Sequence, residues 1–150
     1  AGLASLLAAE GRNAEAEAEL RSVVRLRPTD AQSHNALGGL LMEEARPGET
    51  LAEFDRSLEL QPDFQDALVN RANLYLLQKR AAPAIRDYSR ALAVGPETAK
   101  LRNNLGIALA GAGRIHEAVQ AFRRALEIDP SYSEARRNLA IVSGQAGAPR

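Results

Sequence analysis

Cysteine and tryptophan are absent from this 150-residue chain, and only Lys79 and Lys100 are lysines among its nineteen basic side chains. Without cysteine there are no disulfides and no thiolate chemistry. Aromatic residues make up 4%, so a core must be built mostly from Ala, Leu, Val and Ile, and the 45% hydrophobic content supplies enough of them. Nineteen acidic residues cancel the nineteen bases, which leaves no bulk attraction for nucleic acid or for an anionic membrane. No apolar run is long enough to span a bilayer, and no charged-then-apolar signal segment opens the chain. His34 and His116 have no partner at ligand spacing, so no metal site is expected. The serines lack a Gly-flanked strand-to-helix elbow, and no glycine-rich phosphate loop occurs. The expectation is a chain without catalysis and without a cofactor.

What is present is a beat. Pro28, Pro62, Pro96 and Pro130 stand 34 residues apart, as do Ala16, Thr50, Ala84 and Ala118. Leu20, Phe54, Tyr88 and Phe122 keep the same spacing, and so do Leu26, Leu60, Val94 and Ile128. A period of this length shared by several columns signals stacked repeats, none of which buries its apolar face alone.

Within one period, Leu101, Leu105, Ala108 and Leu109 recur at helical steps and share one face. Gly111, Ala112 and Gly113 follow, and glycine suits the left-handed cap at a helix end. A second periodic stretch carries Ile115, Ala118, Val119, Phe122, Leu126 and Ile128, and Pro130 stops it. Ser131 with Glu134 has capping-box spacing, so the next helix is expected to start there. Each period is thus two antiparallel helices. Ala4, Gly38, Ala72, Gly106 and Ala140 form a column of small residues that lets the two helices approach, with Leu20, Phe54, Tyr88 and Phe122 filling the space opposite.

These residues resemble the tetratricopeptide repeat family, whose signature sets Trp, Leu, Gly, Tyr, Ala, Phe, Ala and Pro within 34 residues. The fourth period matches best, with Leu105, Gly106, Ala118, Phe122, Ala125 and Pro130; Arg102 and Leu109 depart from the pattern. The second keeps Leu37, Gly38, Phe54 and Pro62, and the third Tyr75, Ala84, Ala91 and Pro96 with Tyr88 in place of Phe. The first retains Leu3, Ala16 and Pro28. The resemblance implies an all-α, right-handed superhelical solenoid of antiparallel helix pairs. It would be one array: a truncated repeat over 1–30, repeats over 31–64, 65–98 and 99–132, and a trailing capping helix over about 133–144 that packs through Leu139 and Val142. The tail from Gly147 is expected to be disordered or bent away. The pattern starts and stops in mid-period, so a fragment of a longer protein is expected.

In this family the first helices line a concave surface, which implies the site. Asn70, Asn104 and Asn138 repeat at one inward position, Asn35 and Asn103 occupy the position before it, and Asn73 lies one turn on. A carboxamide donates and accepts, so it can pair with a peptide unit of a passing chain. The column resembles the asparagine ladder in the repeat domain of O-linked N-acetylglucosamine transferases; bridging between adjacent helices is its structural alternative. Val69, Leu76, Ile107 and Ile141, with Met42 and Leu77, make the intervening surface apolar. A second resemblance is partial. Asn70-Arg71-Ala72 is similar to the middle of the carboxylate clamp of heat-shock co-chaperones, but only Asn70 and Lys100 fit that clamp. Arg71 is expected to pair with Asp66 or Asp87.

The implied function is a protein-interaction module that binds an extended or helical polypeptide in its concave groove, with no nucleic-acid or membrane partner. The alternative is an assembly element that self-associates or stacks through exposed ends, Leu3, Leu6 and Leu7 at one and Ile141 and Val142 at the other. Nothing in the residues assigns a compartment.

Overall fold

The computed structural model describes residues 2–146, which form nine α-helices and no strand among the described residues. They are α1 (Gly2–Ala9), α2 (Asn13–Leu26), α3 (Ala31–Glu43), α4 (Pro47–Leu60), α5 (Gln65–Leu77), α6 (Ala81–Val94), α7 (Ala99–Gly111), α8 (Ile115–Ile128) and α9 (Ser133–Ala146). The chain divides into two compact units, Ala1–Leu74 and Tyr75–Arg150, and α5 begins in the first and ends in the second. In the first unit α1 packs on α2, α2 on α3 and α3 on α4. In the second, α7 packs on α6, α8 and α9, and α8 also packs on α9. The fold is an all-α helical repeat.

The punctuation follows from backbone chemistry. Helices α2, α4, α6 and α8 each end two residues before the proline of their period. Proline biases the residue before it away from helical torsions and offers no N–H to extend the ladder. The turns inside each pair are left-handed caps at Gly11, Ala45, Lys79 and Gly113, with φ of 76°, 55°, 57° and 75°. After each cap an arginine N–H closes back on the preceding helix: Arg12 to the Leu7 carbonyl, Arg46 to Leu41, Arg80 to Tyr75 and Arg114 to Leu109, at 2.8–3.1 Å. This is the six-to-one bond of a Schellman motif, which satisfies carbonyls that the helix end orphans.

The capping box expected at Ser131 is not formed. The Ser131 N–H and hydroxyl both donate to Asp129 Oδ1, at 2.9 and 2.6 Å, while the Tyr132 hydroxyl donates to Glu134 Oε2 at 2.9 Å. An Asp two residues upstream makes a local Asx turn and takes the hydroxyl first, so α9 begins at Ser133.

The small-against-large columns close the core. A Cβ added to Gly38 would lie 2.6 Å from the Phe54 ring, and one added to Gly106 would lie 2.6 Å from the Phe122 ring. Where the large residue is Leu20, its opposite number can be Ala4, and both belong to one buried cluster with Leu7, Ala16, Leu37 and Leu41. Thr50 stands in a column of alanines and is fully buried; its hydroxyl donates to the Arg46 carbonyl at 2.9 Å, which removes the cost of an unpaired group. Helix α9 buries Ala135 and Val142 and half-buries Leu139, but Ala140 is exposed although its column mates are buried. The tail expected beyond Gly147 lies outside the described residues.

Candidate functional site

In the first unit, Asn35 on α3 and Asn70 on α5 are both half-buried, and Asn70 Nδ2 donates to Asn35 Oδ1 at 3.1 Å. Asn70 makes no further hydrogen bond among the described residues, so its oxygen and second N–H stay uncommitted. Val69 and Asn73 on the same helix are half-buried, as is Met42 on α3.

The second unit repeats this bond with a difference. Asn138 Nδ2 on α9 donates to Asn103 Oδ1 on α7 at 2.9 Å, but Asn103 is wholly buried. Asn103 was expected on the binding face; it is instead an internal strut, because its oxygen is the acceptor that ties α9 to α7. Its neighbour Asn104 is half-buried and shares a hydrogen bond with Tyr88 of α6, whose phenol is pushed up by burial. Lys100 is exposed, Leu76 is half-buried, and Ile107 and Ile141 are 36% and 56% exposed. The asparagines therefore do bridge adjacent helices, at Asn35–Asn70 and Asn103–Asn138, and Asn70, Asn104 and Asn138 retain partial exposure while doing so.

Charges on the second helices are wired to one another. Arg12 pairs with Glu15, Arg46 with Glu49 and Arg114 with Glu117, each through two bonds of 2.6–2.8 Å. Arg80 completes the column, with Pro83 where the glutamate would be, and lies 4.7 Å over the Tyr75 ring. This arginine column, 34 residues apart throughout, is a signal the periodicity carried and sequence reasoning passed over. Arg46 also reaches Glu17 and Glu44, and Arg21 joins Glu17 to Glu49. The arginines hold Glu15, Glu17, Glu49 and Glu117 below the usual carboxylate range. In the second unit the centre is an acid: Glu97 accepts two bonds from Arg124, at 3.1 and 2.8 Å, and one from Arg102, and is pushed down to about 2, chiefly by Arg124. Arg71 pairs with Asp55 at 2.7 Å, from α5 to α4.

His34 is buried, with Nδ1 2.7 Å from Glu53 Oε2 and Nε2 3.2 Å from the Pro28 carbonyl, so the ring ties α3 to α4 and to the turn before α3. Among the described residues no group of three or more His, Asp or Glu could hold a metal ion. No described helix is long and apolar enough to cross a membrane. Two side chains expected at exposed ends are internal: Leu7 is 7% and Val142 5% exposed, because each faces a packed neighbour helix. Leu3, Leu6 and Ile141 are 56%, 57% and 56% exposed.

Comparison with curated proteins gave no match. Among solved structures the chain is similar to MamA 41-end from Desulfovibrio magneticus RS-1, at 20% identity over 97% of this chain and 82% of that one, with a TM-score of 0.90. It is similar to YrrB, a TPR protein with an unusual peptide-binding site, at 23% identity over 85% of this chain and 66% of that one, TM-score 0.79. It is also similar to the first TPR of Spaghetti (RPAP3) bound to an HSP90 peptide, at 23% identity over 79% and 94% of the two chains, TM-score 0.76. At these identities the likeness is one of fold. Residues 2–63 match one sequence profile of the tetratricopeptide repeat and residues 63–131 match another, so the chain belongs to the tetratricopeptide repeat family.

Proposed function

We propose that this chain is a protein-interaction module that holds a polypeptide segment against its first helices, with binding and not catalysis as its work. The observation that carries this is the state of Asn70 and Asn138: each is half-buried, held by one N–H to a neighbouring asparagine, and left with an oxygen and a second N–H to offer. A group oriented in this way loses less freedom on binding than a solvated one. Aliphatic residues stand near both in the sequence, Val69 next to Asn70 and Ile141 three residues after Asn138. Within the second unit, neighbouring helices pack roughly 8–10 Å apart and an extended chain advances ~3.3 Å per residue, so Asn104 and Asn138 suit every third peptide unit. Support from relatives is that YrrB is described by a peptide-binding site and that RPAP3 was solved with an HSP90 peptide.

The test is an array of unstructured 15-residue peptides, with those retained then titrated by fluorescence anisotropy. Replacing Asn70, Asn104 and Asn138 together by Ala is expected to weaken binding about a hundredfold, since each neutral hydrogen-bonding group contributes on the order of 1 kcal/mol. Helix content is expected to stay intact, and the loss to be insensitive to salt. Equal binding by the triple variant would reduce the asparagines to struts.

A second reading is self-association, favoured by the exposure of Leu3 and Leu6 on α1 and Ile141 on α9. Sedimentation over a range of concentrations checks it, and a constant monomer mass would remove it.

A further inference from the structure

An open groove of about 310 Å³ lies in the first unit between α1 and α3, floored by Ala16 and Leu20 of α2. Its walls are Ser5 and Ala8 on one side and Ala36, Gly39 and Leu40 on the other, and the exposed Glu43 stands at its lip. The groove exists because two columns are cut back here. Ala36 holds the position that Asn70, Asn104 and Asn138 hold in later repeats, and Gly39 the position of Asn73, Ile107 and Ile141. A Cβ built on Gly39 meets nothing within 4 Å, so the space is open and not taken by a neighbour. At the lower end of the roughly 300–1,000 Å³ range of ligand pockets, the groove has room for one large side chain.

Charge selects the occupant. Most carboxylates of this unit are consumed: Glu10, Glu15, Glu17, Glu44, Glu49, Asp55 and Glu59 by arginines, and Glu53 by His34. The Glu43 side chain makes no ion pair or hydrogen bond among the described residues. We propose that this groove receives one large apolar side chain of the bound polypeptide, with a lysine or arginine close to it in that polypeptide pairing with Glu43. The assignment rests on the polypeptide-binding reading above and adds to it a basic, apolar-anchored ligand class. It is opposite in sign to an acidic-tail clamp, because a free carboxylate at the lip repels an acidic segment.

The experiment is a titration of the isotopically labelled chain, followed by amide NMR shifts, with N-acetyl-Phe-Ala-Ala-Lys-amide. Its partners are the same peptide with Ala for Phe and with Glu for Lys. The Phe-Lys peptide is expected to move the amides of Ala8, Ala36, Gly39 and Glu43. Loss of Phe should weaken binding about tenfold or more, the worth of burying one such side chain. The Glu peptide should bind severalfold more weakly, and Glu43→Gln should erase that preference alone. Gly39→Leu fills the groove and should abolish binding with the helix content unchanged; Ala36→Leu serves if the first variant misfolds. Unaltered binding by the filled variant, or an equal response to the Ala peptide, overturns the proposal. If shifts then gather at Asn70 and Asn73, the wider polypeptide reading stands without this groove; if no peptide moves any amide, the groove proposal falls and the array of 15-residue peptides decides the wider reading.

Discussion

In residues 1–74 the ring of Phe54 covers Gly38, and in residues 75–150 the ring of Phe122 covers Gly106 at the same 2.6 Å from a virtual Cβ. The polar groups around these two pairs do not repeat in the same way. Around the first, Arg46 is the hub and gathers Glu17, Glu44 and Glu49; around the second, Glu97 is the hub and gathers Arg102 and Arg124. The asparagine bond has a half-buried acceptor at Asn35 and a fully buried one at Asn103. A rigid ring against a backbone admits few solutions, so where phenylalanine fills the column the facing residue is glycine in both units. Half-exposed charges have long side chains, water and several partners within reach, so their wiring is free to differ from repeat to repeat.

The largest test of this contrast is to break the copied pair. Phe54→Ala and Phe122→Ala should each cost about 3–5 kcal/mol, and hydrogen exchange should place most of the loss in the unit that carries the change, as nearest-neighbour coupling requires. Gly106→Ala should cost about 1–3 kcal/mol by overpacking, and adding Phe122→Leu should relieve part of that cost, since Leu20 already faces Ala4. A simple sum of the two costs in denaturant titrations would show that the ring and the glycine are not one device.

Next in size is the asparagine strut. Asn103→Ala leaves the Asn138 amide without its acceptor and opens space in a fully buried site, so a loss of about 1–3 kcal/mol is expected. Asn35→Ala, at a half-buried site where water can replace the acceptor, should cost less. Equal losses would mean that burial does not separate the two bonds. Smaller again, and stabilising, are the turns: Ala45→Gly and Lys79→Gly should each gain up to about 1 kcal/mol, because only glycine takes a left-handed cap without strain. An unchanged thermal midpoint in both would show that the strain is relieved elsewhere.

The smallest effect is electrostatic. Glu97 is held below the ordinary carboxylate value of 4.5, at about 2. Its contribution is therefore complete above pH 4.5 and is lost as pH falls through about 2. Stability of the second unit should decline on acidification across that window, and Glu97→Gln should flatten the decline there; added salt should shrink it because both arginines are substantially exposed. A wild-type and a variant acid limb that coincide would remove Glu97 as the cause.

Much of the fold was readable because its determinants are local or periodic. Proline at 28, 62, 96 and 130 stops a helix wherever it falls, and a small residue at 38 or 106 has one use when a phenylalanine recurs sixteen residues later. The capping box at Ser131 failed because Asp129 competes for the same hydroxyl, and spacing alone does not rank two acceptors. That Arg71 meets Asp55 depends on where α4 lies beside α5, which spacing along the chain does not fix. The arginine column at 12, 46, 80 and 114 was visible in the period, and it went unread because a surface arginine has no fixed partner until the helices are placed.

The candidate site divides along the same line. Residue type and period by themselves put asparagines at 70, 104 and 138 on the first helices, since a helix turns by a fixed angle per residue and a fixed repeat length restores the same face. Which amides are spent on neighbours, that Asn103 is sealed inside, and that Ala36 and Gly39 open a groove beneath Glu43, whose carboxylate has no ion pair among the described residues, were decided only by tertiary structure. Burial and pairing are properties of what lies across from a side chain, and the residues across from these belong to helices tens of positions away in the chain.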